Sequence, residues 1–115
     1  MPNTGEASLE ALTQIIIDGL EELKARDIVC LDVRELTDVM DLMVIASGTS
    51  RRHVSALADS LVEQAKSSGM RPLGVEGDAA SGWILVDLGD ATVHLMSEEM
   101  RDFYQLEKLW SVSPA

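Results

Sequence analysis

Ile84, Val86 and Leu88, then Ala91, Val93 and Leu95, place an apolar side chain at every second position on either side of Gly89-Asp90. That period belongs to half-buried strands, and a glycine leading a two-residue loop belongs to a tight hairpin turn. The spacing pairs Leu88 with Ala91, Asp87 with Thr92, Val86 with Val93 and Leu85 with His94. One face of the hairpin is then wholly apolar and must be core, because a slip of one residue would expose all of it. The other face carries Trp83, Leu85, Asp87, Thr92, His94 and Met96. It is too apolar for a solvated face and too polar for a core. Two readings fit: an interface with a polar rim, or a face covered by the C-terminal helix.

The rest of the chain supplies partners for that hairpin. Ser8 is placed to cap a helix running to about Ala25, whose apolar stripe is Leu9, Leu12, Ile15, Ile16, Leu20 and Leu23. Ile28 to Val33 reads as a buried strand, Arg34 to Met40 as a polar connection, and Leu42 to Ala46 as a second buried strand. Ser47-Gly48-Thr49-Ser50 then turns into the clearest helix of the sequence. There Val54, Leu57, Ala58, Leu61, Val62 and Ala65 keep the three-and-four spacing until Gly69 stops it. Pro72 to Val75 predicts a short strand and Glu76 to Gly82 a loop; Ser97 caps a terminal helix, and Leu106, Leu109 and Trp110 form an apolar lock. A strand, the long helix and the next strand make a β-α-β crossover. The expected fold is a single α/β domain, a mixed sheet with flanking helices, spanning residues 8–111 between tails at 1–7 and 112–115.

Composition narrows the function. Hydrophobic residues are 46% of the chain, enough for a core, but aromatics are only 3%. Leu, Ile, Val, Met and Ala therefore do most of the packing, and each aromatic side chain is a notable placement. The formal net charge is −11, from 20 acidic and 9 basic residues. Bare phosphate backbone repels such a chain, whereas a basic protein surface attracts it; solubility alone is the plainer reading of the same charge. The one cysteine, Cys30, lies in an apolar run and reads as a small buried hydrophobe. No Cys/His spacing suits a metal, no cofactor motif is present, and no signal pattern or bilayer-length apolar run occurs, so the chain reads as cytoplasmic.

Catalysis is not expected. His53 and His94 have no evident nucleophile pattern beside them. Gly48-Thr49-Ser50 between a strand and a helix is like the opening turn of nucleotidyltransferases. Those enzymes need paired acids to hold Mg²⁺, and Asp32 offers one acid where two are wanted; the turn also lacks a P-loop lysine. Gly74-Val75-Glu76-Gly77 carries no functional signal of its own. Two charged groups stand out instead. Asp87 and Asp90 precede Glu98, Glu99, Asp102 and Glu107, an array that meets a basic partner or merely solvates a helix, with Arg101 beside it. Arg51 and Arg52 open a helix against its macrodipole, as contacts to phosphate or an acidic surface, or simply as solvated side chains.

Taken together, these segments resemble a known family. Thr37-Asp38 leading into Met43-Val44-Ile45-Ala46-Ser47-Gly48-Thr49-Ser50-Arg51-Arg52-His53-Val54, then Ala58-Asp59, is similar to the central block of the Iojap/ribosomal silencing factor family. Gly82-Trp83-Ile84-Leu85-Val86-Asp87-Leu88-Gly89-Asp90, Val93-His94, Glu99, Arg101, Tyr104, Leu106-Glu107 and Leu109-Trp110 are similar to its C-terminal block, and Asp27-Ile28 with Leu31-Asp32-Val33 to its early strand. The resemblance covers about Leu9 to Ser111. It departs at Leu42, where many members have an aromatic residue or a cysteine after the acid.

The resemblance implies a nucleotidyltransferase-like topology without catalysis. It implies binding to the fourteenth protein of the large ribosomal subunit, on the face that meets the small subunit. Subunit joining would then be blocked sterically and translation lowered when nutrients are scarce. It further implies homodimers off the ribosome. Carried over residue by residue, the implied contacts are Trp83, Asp87, Leu88, Asp90, His94, Glu99, Arg101 and Tyr104, with Leu88 at odds with its place on the core face of the hairpin. Arg51 and Arg52 are the positions for an accessory rRNA contact. A role in large-subunit assembly, or a metal-dependent nucleotidyltransferase, are the alternative functions.

Overall fold

The computed structural model describes residues 4–109. The elements in order are α1 (Thr4–Glu22), β1 (Arg26–Asp32), β2 (Leu42–Gly48), α2 (Arg51–Ser67), β3 (Gly74–Asp78), β4 (Trp83–Asp87), β5 (Ala91–Ser97), α3 (Glu98–Tyr104) and α4 (Leu106–Leu109), with one 3-10 turn at Ala79–Ser81. The strands form one mixed sheet in the order β1-β2-β5-β4-β3. β2 and β5 are parallel, and every other neighbouring pair is antiparallel. This is the α/β fold expected, in one domain. The β-α-β crossover through α2 is also there, but it is wide: β2 and β3 run the same way with β5 and β4 between them.

The hairpin pairs as its alternation requires, Leu85 with His94, Val86 with Val93 and Asp87 with Thr92. Gly89 takes φ 89° in the turn, and the Leu88 amide donates to the Ala91 carbonyl at 2.9 Å. Ile84, Val86, Leu88, Ala91, Val93 and Leu95 are all buried against α1 and α2, together with Leu42, Val44 and Ala46 of β2. The α2 stripe supplies Val54, Leu57, Ala58, Leu61 and Ala65, and α1 supplies Leu12, Ile16 and Leu20. Side chains of this size stabilise by roughly 1.5–3 kcal/mol each when fully buried, so this two-helix layer holds most of the fold together.

The opposite sheet face is only partly covered. Met43, Ile45 and Met96 are buried there with Val33 and Leu106, and Leu31, Met40, Trp83 and Met100 pack on the rim of that cluster. The expectation of a face covered by the C-terminal helix therefore holds at one end of the hairpin only. The terminal helices close over Met96, and leave Leu85, Asp87, Thr92 and His94 partly exposed.

Several sequence expectations are corrected. α1 begins at Thr4, so Ser8 lies inside the helix instead of capping it; Glu6 and Ala7 suit a helical first turn, which lets the helix start earlier. β1 is not a buried strand. It lies at the sheet edge and is exposed or half-exposed along its length, with a register shift between Arg26 and Val29. Cys30 is exposed with it, although surrounding groups still raise its thiol pKa by desolvation. β3 starts two residues later than Pro72, and the following loop is a 3-10 turn capped by the Asp78 carboxylate. Of the C-terminal lock, Leu106 is buried, Leu109 is 73% exposed, and Trp110 lies outside the described residues.

Candidate functional site

The partly exposed face is built by register. Side chains at Trp83, Leu85 and Asp87 stand beside Met96, His94 and Thr92 of β5 and beside Asp78, Glu76 and Gly74 of β3. α3 then brings Tyr104 over one end. Its ring lies 4.9 Å from the Trp83 ring, centroid to centroid, at a tilt of 51°, and Phe103 stacks edge-on against Tyr104 at 4.9 Å. The chain holds two Trp, one Tyr and one Phe. Three of those rings form one contiguous group, with Tyr104 44% and Phe103 75% exposed. Ring groups of this kind bury well at low entropic cost and dominate protein interfaces.

The Trp83 indole is held in place. Its Nε1–H donates to Nδ1 of His94 at 3.1 Å. Nδ1 is thereby an acceptor, which sets His94 as the neutral Nε2–H tautomer. Burial pushes the His94 pKa down to about 4, so the ring is uncharged at neutral pH. The sign of the linkage follows. An unfolded His takes up its proton near pH 6.5 and the folded one only near 4, so the unfolded state binds more protons between those values. Stability is therefore full above pH 6.5 and falls as the pH drops through the window. The expected loss is roughly 2 kcal/mol by about pH 5. Denaturant melts against pH will show it, and His94→Gln will flatten the curve.

The acids gather at the other end. The Asp87 carboxylate accepts from the Gly89 amide at 2.9 Å, fixing the hairpin tip. The Asp90 carbonyl accepts from the amides of Asp41 and Leu42 at 2.8 and 3.0 Å, which brings Asp41 beside Asp90. Between β3, β4 and α3 lies a groove of about 360 Å³ lined by Glu76, Trp83, Leu85, His94, Met100 and Tyr104.

The remaining predicted contacts fall elsewhere. Leu88 is 7% exposed in the core beneath α1 and α2, as the hairpin alternation requires, so it has no surface to offer. Arg101 is 8% exposed and donates to the Ser47 hydroxyl at 2.9 Å, so it ties α3 to β2 from inside the fold. Glu99 is exposed on the first turn of α3. Arg51 and Arg52 are exposed at the start of α2 and do not line the groove. His53 is structural: Nδ1 accepts from the Thr49 amide at 2.8 Å, and Nε2 donates to the Leu23 carbonyl at 2.7 Å. Phe103, Met100, Glu76 and Asp41 were not marked by any local pattern. Their signal is tertiary, apart from the scarcity of aromatics, which points to Phe103.

A family model described as "Ribosomal silencing factor during starvation" matches residues 6–115. The chain belongs to the ribosomal silencing factor family. A ribosomal silencing factor RsfS from Haemophilus influenzae is 46% identical over 101 residues, covering 88% of this chain and 99% of that protein. A crystal structure of a Chromobacterium violaceum protein superposes with a TM-score of 0.86 at 38% identity, covering 92% of this chain and 88% of that one. The mouse protein named mitochondrial assembly of ribosomal large subunit protein 1 is 38% identical over 101 residues, covering 85% of this chain and 44% of that protein. The description of the family is that of a regulatory protein, a ribosomal silencing factor. No helix among the described residues is long and apolar enough to cross a membrane.

Proposed function

We propose that this protein binds the large ribosomal subunit through the fourteenth protein of that subunit, on the intersubunit face. It then excludes the small subunit sterically and represses translation under nutrient limitation. The observation that carries the reading is the gathering of Trp83, Tyr104 and Phe103 into one half-exposed group on the sheet face that α1 and α2 leave free. Among the proposed contacts, Trp83, His94 and Tyr104 form the desolvated centre, and Asp87, Asp90 and Glu99 the polar rim. A net charge of −11 opposes direct docking on rRNA and favours a basic ribosomal protein. Blocking needs no chemistry, only occupancy.

A charge-reversed hairpin tip tests the rim. Asp87→Lys with Asp90→Lys is expected to weaken co-sedimentation with large subunits about tenfold at low salt and by clearly less near 0.5 M, where the Debye length has shrunk to a few ångström. A loss that does not change with salt contradicts the electrostatic role. The name of the mouse relative favours a second reading, assistance in large-subunit assembly. It would use the same surface.

A further inference from the structure

The groove beside the aromatic group has walls of three chemical kinds. Tyr104, 44% exposed, supplies an aromatic ring tilted against Trp83. Leu85 and Met100 supply apolar lining. Glu76 stands cross-strand from Leu85, on the same sheet face, and is an exposed residue of the groove lining. Among the described residues Glu76 has no ion-pair partner. No lysine or arginine lines the groove.

We propose that this groove is a socket for one arginine side chain projecting from the basic protein partner. The inference rests on the reading of this face as the ribosome-facing one. A guanidinium is planar, stacks on an aromatic face and forks onto a carboxylate, while its methylene stem lies along apolar surface. Tyr104, Glu76, Leu85 and Met100 offer those three contacts together. The imidazole in the groove, His94, is neutral at pH 7 and does not repel a cation. About 360 Å³ is at the small end for a ligand pocket and suits one long side chain, not a helix or strand.

The test uses the full chain and small probes. Amide and indole nitrogen–proton spectra are followed as N-acetyl-argininamide is added, with N-acetyl-citrullinamide and N-acetyl-norleucinamide as uncharged counterparts; Trp110→Phe assigns the indole signals. The expected result is a saturable shift of the Trp83 indole and Glu76 amide signals with the arginine probe. The citrulline probe should bind about tenfold more weakly, and Glu76→Gln should weaken the arginine probe about three- to tenfold. Equal binding of the uncharged probes, or no shift with argininamide, overturns the socket. Co-sedimentation of the wild-type chain with large subunits is read in parallel. If the chain co-sediments while the titration is flat, the socket falls and the docking reading stands. If the chain does not co-sediment, the docking reading falls whatever the titration shows.

Discussion

Replacing Trp83 by alanine will weaken binding to the large ribosomal subunit by at least about thirtyfold, the effect of losing an interface anchor worth roughly 2 kcal/mol or more. The reason is geometric. Trp83 links Tyr104 to His94: its ring centroid lies 4.9 Å from that of Tyr104, and its indole N–H donates to His94 at 3.1 Å. Without it Tyr104 loses the surface that orients it, and the His94 acceptor is opened to water. The same substitution is mild for the fold. Trp83 is half-buried and packs on the edge of the smaller cluster, not in the core beneath α1 and α2. A loss of about 1–2 kcal/mol and a still cooperative melt are expected. Binding isotherms and thermal melts on the same sample separate the two effects. A folded variant that binds as tightly as wild type removes Trp83 from the interface.

Gly77→Ala will cost about 3 kcal/mol or more of stability, although it adds a single methyl group at the surface. Gly77 sits in β3 at φ 89°, a region that an L side chain enters at a cost of about 1 kcal/mol. A Cβ there would also run into the carbonyl oxygen of Trp83, which is backbone and has no rotamer to relieve it. The strand must separate from β4 or change its turn, and either movement opens the groove wall that carries Glu76. Gly69→Ala is the matched control. Gly69 has a similar φ, 84°, but its Cβ would meet open space, so only the conformational cost of about 1 kcal/mol is expected. Denaturant midpoints for the two variants measure the difference. Equal, small losses would show that β3 yields easily at this point.

The sequence made the hairpin legible because two signals agreed there. Period-two apolar spacing chose the buried face, and Gly89 set the turn that fixes register, so the pairing of Leu85 with His94 and the burial of Leu88 could both be read directly. The α2 stripe was legible for the same reason. The early strand was not. An apolar run such as Ile28 to Val33 reads alike at a sheet's centre and edge, and only the order of strands puts β1, and so Cys30, in solvent. Arg101 shows the same limit. Its charge suggested a surface role, but its burial depends on Ser47, 54 residues away. The groove needed three strands and a helix: Glu76 of β3, Leu85 of β4, His94 of β5 and Tyr104 of α3 meet only after folding. Trp83 lies against both His94 and Tyr104, a neighbourhood that spacing along the chain does not reveal.

The most direct measurement is sedimentation of purified small and large subunits, with and without this protein, at a magnesium concentration that favours joining. The protein is expected to travel with the large subunit, and the joined-ribosome peak is expected to fall as protein is added, with free subunits rising to match. Wild-type protein that travels with neither subunit and leaves the joined peak unchanged contradicts the account.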